Sequence, residues 1–158
     1  MKFISHRGNI DGKNKHTENH PDQIMDAIEL GYDVEIDVWS VNTKLWLGHD
    51  APEYDIDCAF LLNNYNKLLI HCKNDEALFK LHTITVLNIF THTVDPFTIS
   101  TKNNLLIHPN TKTSCRQGIL IMPEMSCYSL KDISEFDGVI SDNVNYPWGL
   151  PDKFRKFN

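Results

Sequence analysis

The sequence predicts an α/β fold: a reduced barrel of the TIM (β/α)8 type in which several outer helices are missing. Three observations lead to this prediction. Eight short apolar runs follow one another along 158 residues, most of them end on a polar residue, and a complete barrel would need ~250 residues. Parallel barrels carry their functional side chains at the carboxyl ends of the strands. We therefore expect a single domain over residues 1–158, with its site at that end.

The amino-terminal segments have the order strand, loop, helix, strand. Residues 3–8 predict a strand with His6 near its end, and Pro21 can occupy the first turn of a helix that runs to Leu30. The alternating run at 33–38 predicts the next strand. This order is typical of a βαβ unit.

The remaining elements are shorter. No helix is predicted after the fourth, fifth or sixth strand, so some apolar strand faces would be left bare. We expect loops, or a second copy in a homodimer, to cover them. Strands are predicted at 67–74, 86–90, 97–100, 105–109, 119–124 and 139–142, and helices at 58–62, 75–82 and 129–136.

The most informative run is the strand that carries Glu35 and Asp37. A period of two places both carboxylates on one face and Val34, Ile36 and Val38 on the other. Two like charges that point into a protein are unfavourable unless a positive group lies between them. A divalent cation is the simplest candidate, and pairing with Lys or Arg in an ordinary fold is the alternative.

A hairpin extends this strand. A turn at Asn42 and Thr43 precedes the apolar run at 45–48, which brings His49 and Asp50 back towards the carboxylates. An imidazole is therefore expected beside the carboxylate pair.

Charge and composition limit the classes of partner. The formal net charge of -6 argues against unassisted binding to nucleic acid or to an anionic membrane, since both need a basic surface. An anionic small-molecule substrate would need a local positive device, such as a metal ion with one Arg and one Lys. The apolar content of 41% and the charged content of 23% predict an ordinary globular protein rather than a disordered one.

The apolar runs and the cysteines of the sequence predict the cellular compartment. No secretory signal and no apolar run long enough to cross a bilayer is recognisable, so we expect no stable membrane insertion. Widely spaced cysteines without a Cys-x-x-Cys pair predict free thiols in a reducing cytoplasm. They are Cys58, Cys72, Cys115 and Cys127.

Four short motifs in order resemble the glycerophosphodiester phosphodiesterase family, within the phospholipase-C-like phosphodiesterase barrels. The resemblance is dense over residues 3–50, sparse between 75 and 136, and returns at 137–143. It implies a barrel, a divalent metal ion (Mg2+ or Ca2+) and hydrolysis of a phosphodiester, commonly one that carries glycerol. The motifs are His6-Arg7-Gly8, Glu18-Asn19, Glu35-x-Asp37 and His49-Asp50.

The resemblance also implies roles for single residues. Glu35 and Asp37 would be metal ligands. The general acid and base would be His6 and His49, in an order that the sequence leaves open, and the phosphate contacts would be Arg7 and Lys73.

The third metal ligand of the family departs from the pattern. It is usually a Glu two residues before the Lys, and here that position is His71. Mg2+ and Ca2+ prefer oxygen ligands, whereas imidazole suits Mn2+ or Zn2+. His71 could bind a softer metal, leave a gap filled by water or by Glu124, or mark a loss of activity.

Trp39 follows the carboxylates on the same face of the strand, which predicts a substrate-facing role. His92, His108 and Asp142 lie at strand ends and are interpreted as structural. Three other functions stay open: a head-group phosphodiesterase like the sphingomyelinase-D-like relatives, a catalytically silent module that binds metal or phosphate, and an unrelated sugar-phosphate isomerase barrel.

Overall fold

The computed structural model describes residues 1–126 and 128–146. Cys127, predicted to be a free thiol, lies outside the described residues; Cys58, Cys72 and Cys115 are free. Within the described residues the strands are β1 (Lys2–His6), β2 (Asp33–Val41), β3 (Lys44–Leu47), β4 (Tyr54–Ile56), β5 (Leu68–Cys72), β6 (Ile89–Phe90), β7 (Phe97–Ile99), β8 (Leu105–Ile107), β9 (Ile119–Ile121) and β10 (Gly138–Ser141).

Four short helices accompany these strands in the described ranges, and local caps begin them. Asp57 accepts a hydrogen bond from the third amide of α2, and Asn74 does the same for α3. Ser129 and Asp132 form a capping box at α4. The helices are α1 (Pro21–Glu29), α2 (Cys58–Asn63), α3 (Asp75–Leu81) and α4 (Leu130–Ile133), and a 3-10 turn spans Pro123–Met125.

All ten strands belong to one mixed sheet. Its parallel part has the order β6-β5-β2-β1-β10-β9-β8, and β7 joins the far end antiparallel to β8. The hairpin of β2 and β3 was predicted, and β4 extends it as a further antiparallel strand. The carboxyl ends of β1, β2 and β5 therefore lie side by side.

The predicted (β/α)8 barrel is wrong. The sheet is a half-barrel with few helices, and no ladder joins β6 to β7 or β8 within the residues described. The chain between β6 and β9 has loops where a barrel needs helices. A parallel crossover needs a dozen or more residues, and the link between β7 and β8 at 100–104 allows only a hairpin. The segment at 54–56, where no strand is predicted, is strand β4.

Alternation along the strands separates two faces. Val34, Ile36 and Val38 point towards α1, α2 and α3 and form an outer core with Leu68 and Ile70. A second outer core lies under α4. The opposite, inner face carries a smaller apolar cluster made of Ile4, Leu69, Phe90, Leu106, Ile119 and Ile140.

The distant end of the sheet is less covered than the helix-packed part. Phe97 and Ile99 on β7 are exposed, as is Val94 in the loop before it. Cover by a second copy stays a prediction. Nowhere in 1–126 or 128–146 does a helix have the length and apolar character needed to cross a membrane.

Candidate metal and phosphate site

Three adjacent parallel strands bring the motif residues together. His6 is in register with Glu35 across β1 and β2, and Asp37 is in register with His71 across β2 and β5. Because Glu35 and Asp37 alternate with outer-core residues, both carboxylates lie on the inner face, and both are buried. Ligand atoms of Glu35, Asp37 and His71 lie within 4.8 Å of one another.

Four nitrogen atoms surround the carboxylate of Asp37. Arg7 Nε (2.8 Å) and Asn19 Nδ2 (3.0 Å) approach Oδ2, while His71 Nδ1 (2.9 Å) and Lys73 Nζ (3.5 Å) approach Oδ1. Burial by itself would raise the pKa of Asp37, but the hydrogen bond with His71 and the charges of Arg7 and Lys73 outweigh it and lower that pKa. Asp37 is therefore ionised and well paired.

Glu35 is the opposite case. Its Oε2 atom is buried and accepts no hydrogen bond from any described residue, and His6 Nε2 lies 3.8 Å away. Burial, followed by the charge of Asp37, raises the pKa of Glu35. A buried carboxylate oxygen without a donor is costly, so this atom is where a cation would be stabilised most.

The donor set fits a divalent ion. Glu35 supplies an unused buried oxygen, Asp37 an ionised carboxylate, and His71 an imidazole. Two oxygens and one nitrogen are compatible with Mn2+ or Zn2+ as well as Mg2+.

A carboxylate holds the ring of His6. Asp142 Oδ1 lies 2.8 Å from His6 Nδ1 and accepts a second hydrogen bond, also of 2.8 Å, from Asn9 Nδ2. Burial alone would raise the pKa of Asp142, but its interactions with His6 and Asn9 lower it. With Nδ1 donating to an ionised carboxylate, the Nε2 atom of His6 is left to face Glu35.

His49 reaches the same cavity from the hairpin turn between β3 and β4. It is half-buried, and its Nδ1 atom lies 2.7 Å from the exposed Asp50. Burial, followed by the charge of Arg7, lowers the pKa of His49. The imidazole of His49 is therefore neutral near pH 7 and able to accept a proton.

The turn after β1 positions Arg7. Arg7 and Gly8 both have positive φ, 56° and 83°, and a Cβ at Gly8 would come within 3.0 Å of Gln23. The backbone N–H of Arg7 donates to the Glu35 carbonyl and its own carbonyl accepts from Asn19. The Arg7 guanidinium donates a hydrogen bond of 3.3 Å to Glu18, which helps to orient it.

These residues open on a cavity of about 430 Å³ on the inner face. One half of its lining is charged and the other half is mainly apolar. The charged half comprises His6, Arg7, Lys13, Glu35, His49, His71 and Lys73, and the other half comprises Phe90, His92, Thr93, His108, Pro109, Ile121, Met122, Met125 and Ile140.

One ring stack connects these halves, and a second lies within the mainly apolar half. His71 stacks on Phe90 with 4.7 Å between ring centroids, and His92 stacks on His108 at 3.5 Å. His108 Nε2 shares a hydrogen bond of 2.6 Å with Thr98. Burial, followed by the charge of His92, lowers the pKa of His108 to about 4, so that ring is neutral near pH 7.

Two predicted site residues lie elsewhere. The indole N–H of Trp39 donates to the Gly48 carbonyl at 2.6 Å, and Trp39 is absent from the described lining of the cavity. Glu124 lines a different cavity and accepts hydrogen bonds from Ser141, and it is not part of the described ligand cluster. Burial raises the pKa of Glu124.

Sequence reasoning missed three contributors. Asn19 binds Asp37 twice, through its side-chain amide and through its oxygen, which accepts from the Asp37 backbone. Asp142 was interpreted as structural, yet it orients His6. Lys13 lines the cavity. The Glu18-Asn19 motif was a usable signal for Asn19, whereas the contact with Asp142 spans 136 positions and carries no local signal.

No family model, no curated protein and no solved structure matches the chain. The resemblance to glycerophosphodiester phosphodiesterases thus stays a prediction from four short motifs.

Proposed function

We propose that the protein hydrolyses phosphodiesters with the help of a divalent metal ion, acting on glycerophosphodiesters to give glycerol phosphate and an alcohol. One observation carries the proposal. The Oε2 atom of Glu35 is buried without a hydrogen-bond donor among the described residues, and the described lining of its cavity also includes five imidazoles and three cationic side chains.

The charged half has the parts that this reaction needs. Arg7 and Lys73 offset negative charge on a bound phosphate, although the protein as a whole carries a formal charge of -6. Glu35, Asp37 and His71 would hold the metal ion. When bound, the ion would stabilise charge on the phosphoryl oxygens and lower the pKa of a coordinated water.

Two histidines are available for proton transfer. His49, neutral near pH 7, takes the proton from water or from a substrate hydroxyl. His6, held through Nδ1 by Asp142, gives a proton to the leaving alcohol from Nε2. We place the activity in the cytoplasm, in keeping with the free thiols of Cys58, Cys72 and Cys115.

Hydrolysis of bis(p-nitrophenyl) phosphate and of glycerophosphocholine tests the proposal in EDTA and with added Mg2+, Ca2+, Mn2+ or Zn2+. We expect turnover to need a metal ion and to fall ~10²- to 10⁴-fold in His6→Ala. Glu35→Gln should lose turnover and the rise in melting temperature on metal addition. Glu29→Gln, which alters an exposed carboxylate at the end of α1, is the matched control. Full turnover in EDTA would refute the need for a metal ion. Unchanged turnover in both His6→Ala and Glu35→Gln would refute the proposed site.

His71→Glu distinguishes the metals. If His71 coordinates the ion, the wild type should work best with Mn2+ or Zn2+, and the variant should shift its preference towards Mg2+ or Ca2+. An unaltered metal preference would show that His71 acts only through its contact with Asp37.

A catalytically silent phosphate-binding module is the second candidate, because four nitrogen atoms of the protein itself already surround the carboxylate of Asp37. In that case inorganic phosphate should bind equally well with and without EDTA, and neither ester should be hydrolysed.

A further inference from the structure

The cavity has an apolar wall beside its charged half, and the proposed reaction does not use it. We call the side chains of Phe90, Ile121, Met122, Met125 and Ile140 the apolar wall. We propose that this wall binds an apolar ester group of the substrate. This inference rests on the proposed function and narrows its substrate to phosphodiesters in which one ester group is apolar.

The base of the apolar wall is packed into the sheet. Phe90 and Ile140 belong to the inner apolar cluster, and Ile121 packs against that cluster from the end of β9. The stacking of Phe90 on His71 connects the base directly to the candidate metal ligands. An apolar group on this base would therefore lie next to a phosphate held in the charged half.

The rim of the apolar wall is made of two methionines. Met125 ends the 3-10 turn after β9 and is 55% exposed. Methionine is flexible and polarisable, so it adapts to apolar groups of different shape. Burying the exposed part of Met125 against a ligand would add favourable contact.

The backbone of Met122 is held in an unfavourable conformation. Met122 has φ 50° and ψ 60°, the left-handed region that side chains other than glycine rarely adopt. Its N–H donates to the Ile140 carbonyl, and its carbonyl accepts from the N–H of Met125, both at 2.8 Å. Backbone strain of this kind clusters at ligand sites, and here it places a methionine beside the cavity.

Charge in the cavity agrees with an apolar group. Among the described residues that line it, Glu35 is the one acidic side chain, and it lies in the charged half. The apolar wall thus offers no carboxylate to a cationic head group. The stacked rings of His92 and His108 line the same cavity and carry no carboxylate either.

Binding of phosphodiesters that differ only in their ester groups tests the inference independently of turnover. Titration calorimetry with Mg2+ present would compare dimethyl, dibutyl and diphenyl phosphate, with inorganic phosphate as the reference for the charged half. We expect dibutyl and diphenyl phosphate to bind at least tenfold more tightly than dimethyl phosphate. Met125→Ser should remove about tenfold of that preference, and Met125→Leu should restore it.

Phe79→Ser is the matched control, because Phe79 is an apolar side chain that is 78% exposed on α3 and lies outside the described cavity lining. Equal affinity for the three diesters, or an unchanged preference in Met125→Ser, would overturn the apolar wall while leaving the proposed function intact. Absence of binding by all three diesters and by inorganic phosphate would overturn both.

Discussion

The two halves of the cavity are stabilised in different ways. In the charged half, built around β1, β2 and β5, hydrogen bonds and ion pairs dominate, and Asp37 alone has four nitrogen atoms around it. In the other half, built around β6, β8, β9, β10 and the 3-10 turn, ring stacking and apolar packing dominate. Changes of charge should therefore alter the free energy of unfolding mainly through the charged half. Changes of side-chain shape or of histidine ionisation should alter it mainly through the other half.

The largest expected effect is on the charged half. Asp37→Asn removes the charge that pairs with Arg7 and Lys73 and leaves two cations partly buried without it. We expect a loss of ~3–5 kcal/mol in the free energy of unfolding, measured by urea denaturation. Asp33→Asn is the control, because its pair with Lys67 is part-exposed and should contribute less than ~1 kcal/mol. Equal losses in the two variants would show that Asp37 is not the centre of the network.

The second effect concerns the stacked histidines. The pKa of His108 is lowered from its usual 6.5 to about 4, so between these pH values the unfolded chain binds more protons at this position than the folded one. Stability should therefore fall as the pH drops from about 6.5 to about 4, by about 2 kcal/mol from this group. Urea denaturation across this range measures it.

His108→Gln should flatten that acid-side loss, whereas His82→Gln, at an exposed histidine after α3, should leave the pH profile unchanged. An identical pH profile in His108→Gln and the wild type would mean that the ring of His108 ionises equally easily in the folded and the unfolded chain.

The smallest expected effect is at Met122. Met122→Gly releases the strain of the left-handed backbone, which stabilises the folded protein by roughly 1–2 kcal/mol. The same change makes the unfolded chain more flexible, which destabilises the folded protein by a similar free energy. The free energy of unfolding should therefore change by less than about 1 kcal/mol. Met25→Gly, inside α1, should cost more than about 1 kcal/mol. A loss at Met122 as large as that at Met25 would show that Met122 is held there for packing.

The charged half was largely predictable because its residues occur in short local patterns. Alternation placed Glu35 and Asp37 on one face, and the hairpin returned His49 to the same region. Lys73 follows β5 and reaches Asp37 directly. The contact of Asn19 with Asp37 was not predicted, because the position of Asn19 after a loop does not show that its amide binds Asp37.

The other half was not predictable in the same way. Most of the short apolar runs there are strands, but nothing in them shows that β7 turns back antiparallel or that the sheet stays open beside β6. The stack of His92 on His108 depends on how two loops approach each other. Nor does the sequence show that the hairpin brings the Gly48 carbonyl to the indole N–H of Trp39.

By itself the sequence determined which side chains share a strand face, because alternation is a property of the extended backbone. It thereby determined that Glu35 and Asp37 share one face of their strand and that a hairpin follows them. Only the tertiary structure decided that four nitrogen atoms surround Asp37 while Glu35 keeps an unpaired oxygen, and that an apolar wall lines the same cavity. The reason is that pairing and burial depend on contacts between segments that lie far apart along the chain, as Asp142 and His6 do.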